Sequence, residues 1–168
     1  GGVGKTTLGR KLNKICAIEQ KFDCCAWVSV SQHFNFEDLL RRIIKSFGFS
    51  AEKLDEMNEQ DLERYAMNLY RGVNIWWIDD VWHKEDWAIL RRSSPDNEKG
   101  SRVIITTRIK DVAEGSDVRT YVHELRFLKP DESWQLFCDK AFWNLRIDEG
   151  LEKLGREMVE KCRGLPLT

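Results

Sequence analysis

Gly1-Gly2-Val3-Gly4-Lys5-Thr6-Thr7 opens the chain and reads as the second half of a phosphate-binding loop. Glycines let the backbone turn tightly and bring its N–H groups against phosphate oxygens. In such a loop Lys5 reaches the β and γ phosphates and Thr6 offers a hydroxyl to Mg²⁺, with Gly1, Gly2, Val3, Gly4 and Thr7 completing the cradle. The full pattern has another glycine five positions before Gly4, upstream of Gly1, where the strand that feeds such a loop would also lie. The sequence is therefore expected to be part of a longer protein. Taken alone, Gly4-Lys5-Thr6 also describes an ordinary glycine-rich turn before a helix, so a second motif has to decide.

Val73-Asn74-Ile75-Trp76-Trp77-Ile78-Asp79-Asp80 is that second motif, a mostly apolar run of strand length that ends in adjacent carboxylates. An acid at the carboxyl end of a buried strand is where P-loop enzymes hold Mg²⁺. Asp79 is expected to hold the metal, directly or through water, and Asp80 to orient or deprotonate an attacking water. An Asp-Asp pair can also simply end a strand. The loop and the acidic strand are, however, independent signals with complementary chemistry.

At 168 residues, 42% hydrophobic and 33% charged, the chain can fill one domain, or one domain and part of a second. Its formal charge of −1 excludes an overall basic field that would draw it onto nucleic acid or an anionic membrane. Arg41-Arg42 and Arg91-Arg92 read as solvated helix faces. No apolar run has the length to span a bilayer, and no signal peptide is visible. Cys16, Cys24, Cys25, Cys138 and Cys162 show neither a metal-ligand spacing nor a disulfide framework, which suits a reducing cytosol.

The phosphate loop leads into a predicted helix from Lys5 to about Cys16, with Leu8, Leu12, Ile15 and Cys16 on one side. Gly9 inside it costs about 1 kcal/mol relative to alanine, which is reasonable only where close packing needs the missing side chain. Phe22 to Val30 reads as a strand. Phe36, Leu39, Leu40, Ile43, Ile44 and Phe47 then recur at spacings of three and four, an amphipathic helix that Gly48 stops. A loop from Ser50 to Asn58 precedes a helix from about Glu59 to Tyr70. After Asp80, a short helix near Glu85 to Leu90 and a turn-rich loop from Ser93 to Gly100 lead to Arg102-Val103-Ile104-Ile105-Thr106-Thr107-Arg108, a strand expected to be buried on both faces. Val118 to Leu125 is a candidate further strand.

Beyond Pro130, a first-turn helix proline, the period is helical. Trp134, Phe137 and Ala141 mark one face, Leu151, Leu154, Met158 and Cys162 another, and Gly164 suits a helix end. Strands alternating with helices imply an α/β fold with a parallel sheet and helices on both faces, followed by a small helical subdomain. The expected domains are residues 1–128, a nucleotide-binding domain whose first strand and loop start lie upstream, and residues 129–168, part of the helical subdomain.

The order of these pieces resembles the NB-ARC module of plant intracellular immune receptors with leucine-rich repeats. Gly1 to Thr7 is similar to its P-loop, Phe22-Asp23-Cys24-Cys25-Ala26-Trp27-Val28-Ser29-Val30-Ser31-Gln32 to the motif that follows, and Ile78-Asp79-Asp80-Val81-Trp82 to its Walker B segment. Gly100 to Arg108 and Gly164-Leu165-Pro166-Leu167 are similar to two further signatures. Trp82 and the Trp27 to Gln32 run resemble the coiled-coil class of these receptors and not the class bearing a TIR domain.

The resemblance implies a P-loop NTPase fold, part of an ARC helical subdomain and a switch. ADP holds the receptor closed, exchange for ATP opens it and allows oligomerisation, and at most a slow Mg²⁺-dependent hydrolysis resets it. It carries Lys5 and Thr6 over as binders of phosphate and Mg²⁺, keeps Asp79 and Asp80 in the roles above, makes Arg108 the sensor arginine that touches the γ-phosphate, and packs Pro166 near adenine and ribose. A guanidinium at a strand end can give charge-assisted hydrogen bonds to phosphate. Without the family, Arg108 would read as an exposed salt-bridging arginine.

Implied partners are the nucleotide, the receptor's own coiled-coil, winged-helix and leucine-rich repeat domains, and further copies of the receptor in the ATP state. Direct nucleic-acid or membrane binding is not implied, and the implied location is cytoplasmic. A constitutive P-loop ATPase is the competing enzymatic expectation. Trp76 and Trp77 depart from the aliphatic residues usual in this strand and need room and partners for their N–H groups. They keep open a third expectation, a degenerate interaction module whose nucleotide site has decayed.

Overall fold

The structure, a computed structural model, describes residues 1–18, 22–32, 35–48, 54–69, 74–92, 100–115, 120–142 and 148–166. Two compact units make up the chain: Thr6–Val122, and a second formed by Gly1–Lys5 with His123–Thr168. The first unit contains all but the first residue of α1 (Lys5–Ile18), and β1 (Cys24–Ser29), α2 (Phe36–Ser46), α3 (Glu59–Leu69), β2 (Asn74–Val81), α4 (Lys84–Arg92), β3 (Arg102–Thr107) and α5 (Lys110–Glu114). The three strands among its described residues form a parallel sheet in the order β1-β2-β3. Helices fill both crossovers, as parallel pairing requires.

β2 is the central strand, and its successive side chains point to opposite faces. Trp76 and Ile78 join Val28 and Val30 in a core closed by Leu39, Leu40, Ile43 and Ile44 of α2 and Leu62 and Ala66 of α3. The Phe47 ring meets Trp76 there at 5.8 Å. Trp77 faces the other way, toward α1, and stacks on its register partner Trp27 at 5.7 Å. A Cβ at Gly9 would lie 3.0 Å from Trp27 and 3.4 Å from Trp77. The missing side chain at Gly9 therefore makes the room that this indole pair needs. Adjacent tryptophans thus serve opposite faces of a sheet with helices on both. The Nε1 atoms of Trp27 and Trp77 are buried without an acceptor among the described residues, a cost of about 1–3 kcal/mol each. Burying an indole contributes roughly 4–6 kcal/mol by area, so burial wins.

Local chemistry sets the helix ends. Asn35 caps α2 by accepting the Asp38 N–H at 3.2 Å, and Asn58 accepts the Asp61 N–H at 3.0 Å at the start of α3. Gly48, at φ +84°, turns the chain after α2 in the left-handed region. Arg41 departs from the solvated face expected of it. Its guanidinium donates to the Leu54 carbonyl at 3.0 Å and the Met57 carbonyl at 2.9 Å, tying the segment before α3 to α2.

Two strand expectations change. β3 is half-buried instead of buried on both faces; it lies, like β1, at an edge of the sheet formed by the described residues. Residues 120–129 carry no regular secondary structure, so the described part of the expected strand at 118–125 is absent; residues 118 and 119 lie outside the described residues. Apolar and β-branched residues make a strand only where a partner edge is offered. Among the described residues, no helix is long and apolar enough to cross a membrane.

In the second unit, α6 (Pro130–Ala141) and α7 (Glu149–Cys162) form a helix pair. Pro130 occupies the first turn of α6, as expected. The Lys129 N–H donates to Glu132 at 2.8 Å, and Arg126 clamps the same carboxylate with two bonds of 2.6 Å. The Arg126 bonds, then that N–H, hold the Glu132 carboxyl down at about 2. α7 approaches α6 over Gly155, where a Cβ would come 2.8 Å from Phe137 and 3.0 Å from Trp134. Arg156 lies over the Trp134 ring at 4.4 Å. The helix ends in left-handed residues Arg163 (φ +48°) and Gly164 (φ +79°), and the Gly164 carbonyl accepts the Leu128 N–H at 2.9 Å. A side chain at Gly164 would collide with the Leu128 carbonyl.

Candidate functional site

A bulge separates the two carboxylates at the end of β2. Ile78 pairs with Ile105 and Val81 with Thr107, so β2 carries one extra residue there. Asp80 absorbs the irregularity at φ +62°, a left-handed conformation uncommon for a residue with a side chain. Asp79 is buried, at 5% exposure, whereas the Asp80 side chain is 30% exposed.

Hydroxyl groups satisfy the buried carboxylate. Asp79 Oδ1 accepts from Thr6 Oγ1 at 2.9 Å and from Thr106 Oγ1 at 2.6 Å. The Thr106 oxygen in turn accepts the Asp80 N–H at 2.9 Å. One hydroxyl therefore links the ends of β2 and β3, with its single proton committed to Asp79. Without such donors a buried carboxylate costs several kcal/mol. Thr107 adds a second tie, donating to the Val81 carbonyl at 2.7 Å and accepting the Ile109 N–H at 3.0 Å.

Asp80 is engaged differently. Arg108 meets it with Nε at 3.2 Å from Oδ1 and Nη2 at 3.3 Å from Oδ2, and the guanidinium lies 5.1 Å from the centre of the Trp82 ring. The Arg108 side chain is 52% exposed, so solvent screening limits the ion pair to about 1 kcal/mol or less.

At the loop, Gly2 and Gly4 have φ of +81° and +96°. A Cβ on Gly4 would meet nothing within 4 Å, so conformation and not space calls for glycine there. Lys5 and Thr6 are the first residues of α1, which places the loop at a helix N-terminus, where free N–H groups favour anions. Gly2, Val3 and Lys5 are half-buried; Gly1 and Thr7 are exposed. Pro166 lies exposed on the bend after Gly164 in the second unit.

The structure brings Thr6 to Asp79 and Arg108 to Asp80, and Thr106 bridges the two pairs. Sequence reasoning passed over Thr106 and used Trp82 only as a class marker. The available signal was a polar strand end, Thr106-Thr107-Arg108, following an apolar run just as Asp79-Asp80 does. Thr6 Oγ1 and the Asp79 carboxylate are hard oxygen donors, a set that suits Mg²⁺.

A helix that starts at Gly-Lys-Thr and bonds through its threonine to an aspartate at the end of a parallel strand defines an α/β domain of the P-loop class. The family model for the NB-ARC domain matches residues 1–146. The chain belongs to the NB-ARC family of nucleotide-binding domains. It is 50% identical to the disease resistance protein RPP13 of Arabidopsis thaliana over 99% of its own length, and 47% identical over its whole length to the putative disease resistance RPP13-like protein 3 of the same plant. It is 34% identical, again over its whole length, to the disease resistance protein RPP8 of Arabidopsis thaliana. These matches cover 21%, 21% and 19% of the three proteins, so the chain spans about a fifth of the length of the relatives it matches.

Proposed function

We propose that this domain is the ADP/ATP switch of a plant immune receptor of the coiled-coil class. The supporting observation is the hydroxyl-linked chain Thr6–Asp79–Thr106 with the Asp80–Arg108 pair attached to it. Gly1 to Thr7 bind the phosphates through backbone N–H groups, and Lys5 neutralises their charge. Thr6 and Asp79 would hold Mg²⁺, which supplies charge neutralisation at the phosphates. Asp80 orients water or accepts its proton, Arg108 reads the γ-phosphate, and Pro166 packs against the nucleoside.

Both Asp80 oxygens are occupied by Arg108, which favours slow, gated hydrolysis over a constitutive ATPase. The housed Trp76 and Trp77 weaken the case for a degenerate module, since each indole has its own packed face. On this reading residues 1–128 carry the nucleotide and residues 129–168 begin the ARC helices. The domain acts in the cytoplasm against the receptor's own coiled-coil, winged-helix and leucine-rich repeat domains, and self-associates in the ATP state.

The test is the nucleotide content of the gently purified full-length protein and its turnover after exchange. Stoichiometric ADP, turnover slow beside metabolic enzymes, and loss of binding in Lys5→Ala are expected. Tight binding retained in Lys5→Ala would sink the site assignment, and rapid untriggered turnover would favour the constitutive ATPase.

A further inference from the structure

We propose that Trp82 is a positioning residue for Arg108, and that Asp80 and Trp82 together latch this arginine until a phosphate group takes the place of Asp80. The proposal rests on the nucleotide-switch reading above. A guanidinium offers its N–H donors at its edge and its charge on its faces. In Arg108 the N–H edge is given to both oxygens of Asp80, while the charged centre lies over the Trp82 ring, 5.1 Å from its centroid. The two contacts differ in kind. The carboxylate contact is directional and can be exchanged for another pair of anionic oxygens, which is what a terminal phosphate presents. The indole contact is an attraction of the ring for positive charge and carries no donor geometry. It therefore survives the exchange and acts as a pivot.

The backbone fixes both members of the latch. Asp80 sits in the β2 bulge with its N–H on Thr106, and the Val81 carbonyl, just before Trp82, is held by the Thr107 hydroxyl. Movement is thus left to the Arg108 side chain, which is 52% exposed. A diphosphate offers no terminal group to Arg108 and leaves the latch closed. A triphosphate draws the edge away from Asp80 and frees that carboxylate for water. Sensing and hydrolysis are coupled because they compete for one guanidinium.

Two measurements on the full-length protein test this. In the first, arginines are labelled with phenylglyoxal without nucleotide and quantified by peptide mass spectrometry. Asp80→Asn and Trp82→Ala should each speed Arg108 labelling about two- to five-fold, Trp82→Phe should restore most of the protection, and Arg102 labelling should stay constant as a control for folding. In the second, affinities for ADP and a non-hydrolysable ATP analogue are compared. Trp82→Ala should weaken the analogue about two- to five-fold and leave ADP unchanged. Asp80→Asn should tighten the analogue, and that gain should vanish when Arg108→Ala is added. Unchanged Arg108 labelling in both variants overturns the latch even if nucleotide binds well. A gain from Asp80→Asn that persists with Arg108→Ala overturns the exchange. A wild-type protein that labels as expected but binds no nucleotide overturns the switch reading and, with it, the exchange with phosphate.

Discussion

α2 and α7 both carry apolar residues at helical spacing, yet α2 buries Leu39, Leu40, Ile43 and Ile44 to 1% exposure or less, while α7 leaves Leu151, Leu154 and Met158 between 47% and 55% exposed. The difference lies in what each helix faces. α2 lies against the sheet, whose Trp76 and Ile78 accept a broad apolar stripe. Among the described residues of its unit, α7 packs on α6 over Gly155, where Trp134 and Phe137 fill the space a side chain would need. An apolar stripe shows which face a helix is able to bury. The partner's shape decides which face it does bury.

That contrast can be tested in descending order of effect. Trp76→Ala removes a fully buried indole from the face that α2 covers and should cost about 3–5 kcal/mol, read as a lower urea midpoint. A loss below roughly 1 kcal/mol would mean that this face packs loosely, unlike other cores. Gly155→Val puts a branched side chain where a Cβ would already lie 2.8 Å from Phe137 and should cost about 1–3 kcal/mol. Hydrogen exchange should show it as lost protection in α6 and α7 with β2 amides unaffected; loss in β2 as well would erase the distinction between the units.

A smaller effect is expected at the start of α6. The Glu132 carboxyl is depressed from the ordinary 4.5 to about 2. Its stabilisation is therefore fully present above pH 4.5 and lost as pH falls toward 2. Glu132→Gln should remove that acid-dependent part of α6 protection, and identical acid profiles for variant and wild type would refute the assignment. Leu154→Ser, on the exposed face of α7, should change stability by no more than about 0.5 kcal/mol. A loss above roughly 2 kcal/mol in the full-length protein would show that this face is covered there.

Much of the sheet unit was legible because its signals are local and periodic. The stripe of α2, the glycine stop at Gly48 and the acidic end of β2 are each written in adjacent residues, and Gly9 was already readable as a site of close packing. β3 was misjudged because burial depends on position in the sheet, which Arg102 to Thr107 do not encode. The candidate strand at 118–125 failed for a related reason, since strand-like composition does not supply a pairing edge. In the site, the Gly-Lys-Thr and Asp-Asp signals came from chemistry that demands particular residues. The bulge at Asp80 and the bridge through Thr106 were hidden because they arise only when two strands are brought into register. Trp82 stayed hidden as a contact because its partner Arg108 lies on another strand's end.

The Trp27–Trp77 stack carries a practical consequence. Two indoles 5.7 Å apart and inclined by 21° couple their strong electronic transitions, which is read as a circular dichroism couplet in the far ultraviolet. The stack is seated against Gly9, on the helix that starts at Lys5 and Thr6. The domain thus contains an intrinsic optical gauge of whether the helix leading from the phosphate loop is docked on the sheet.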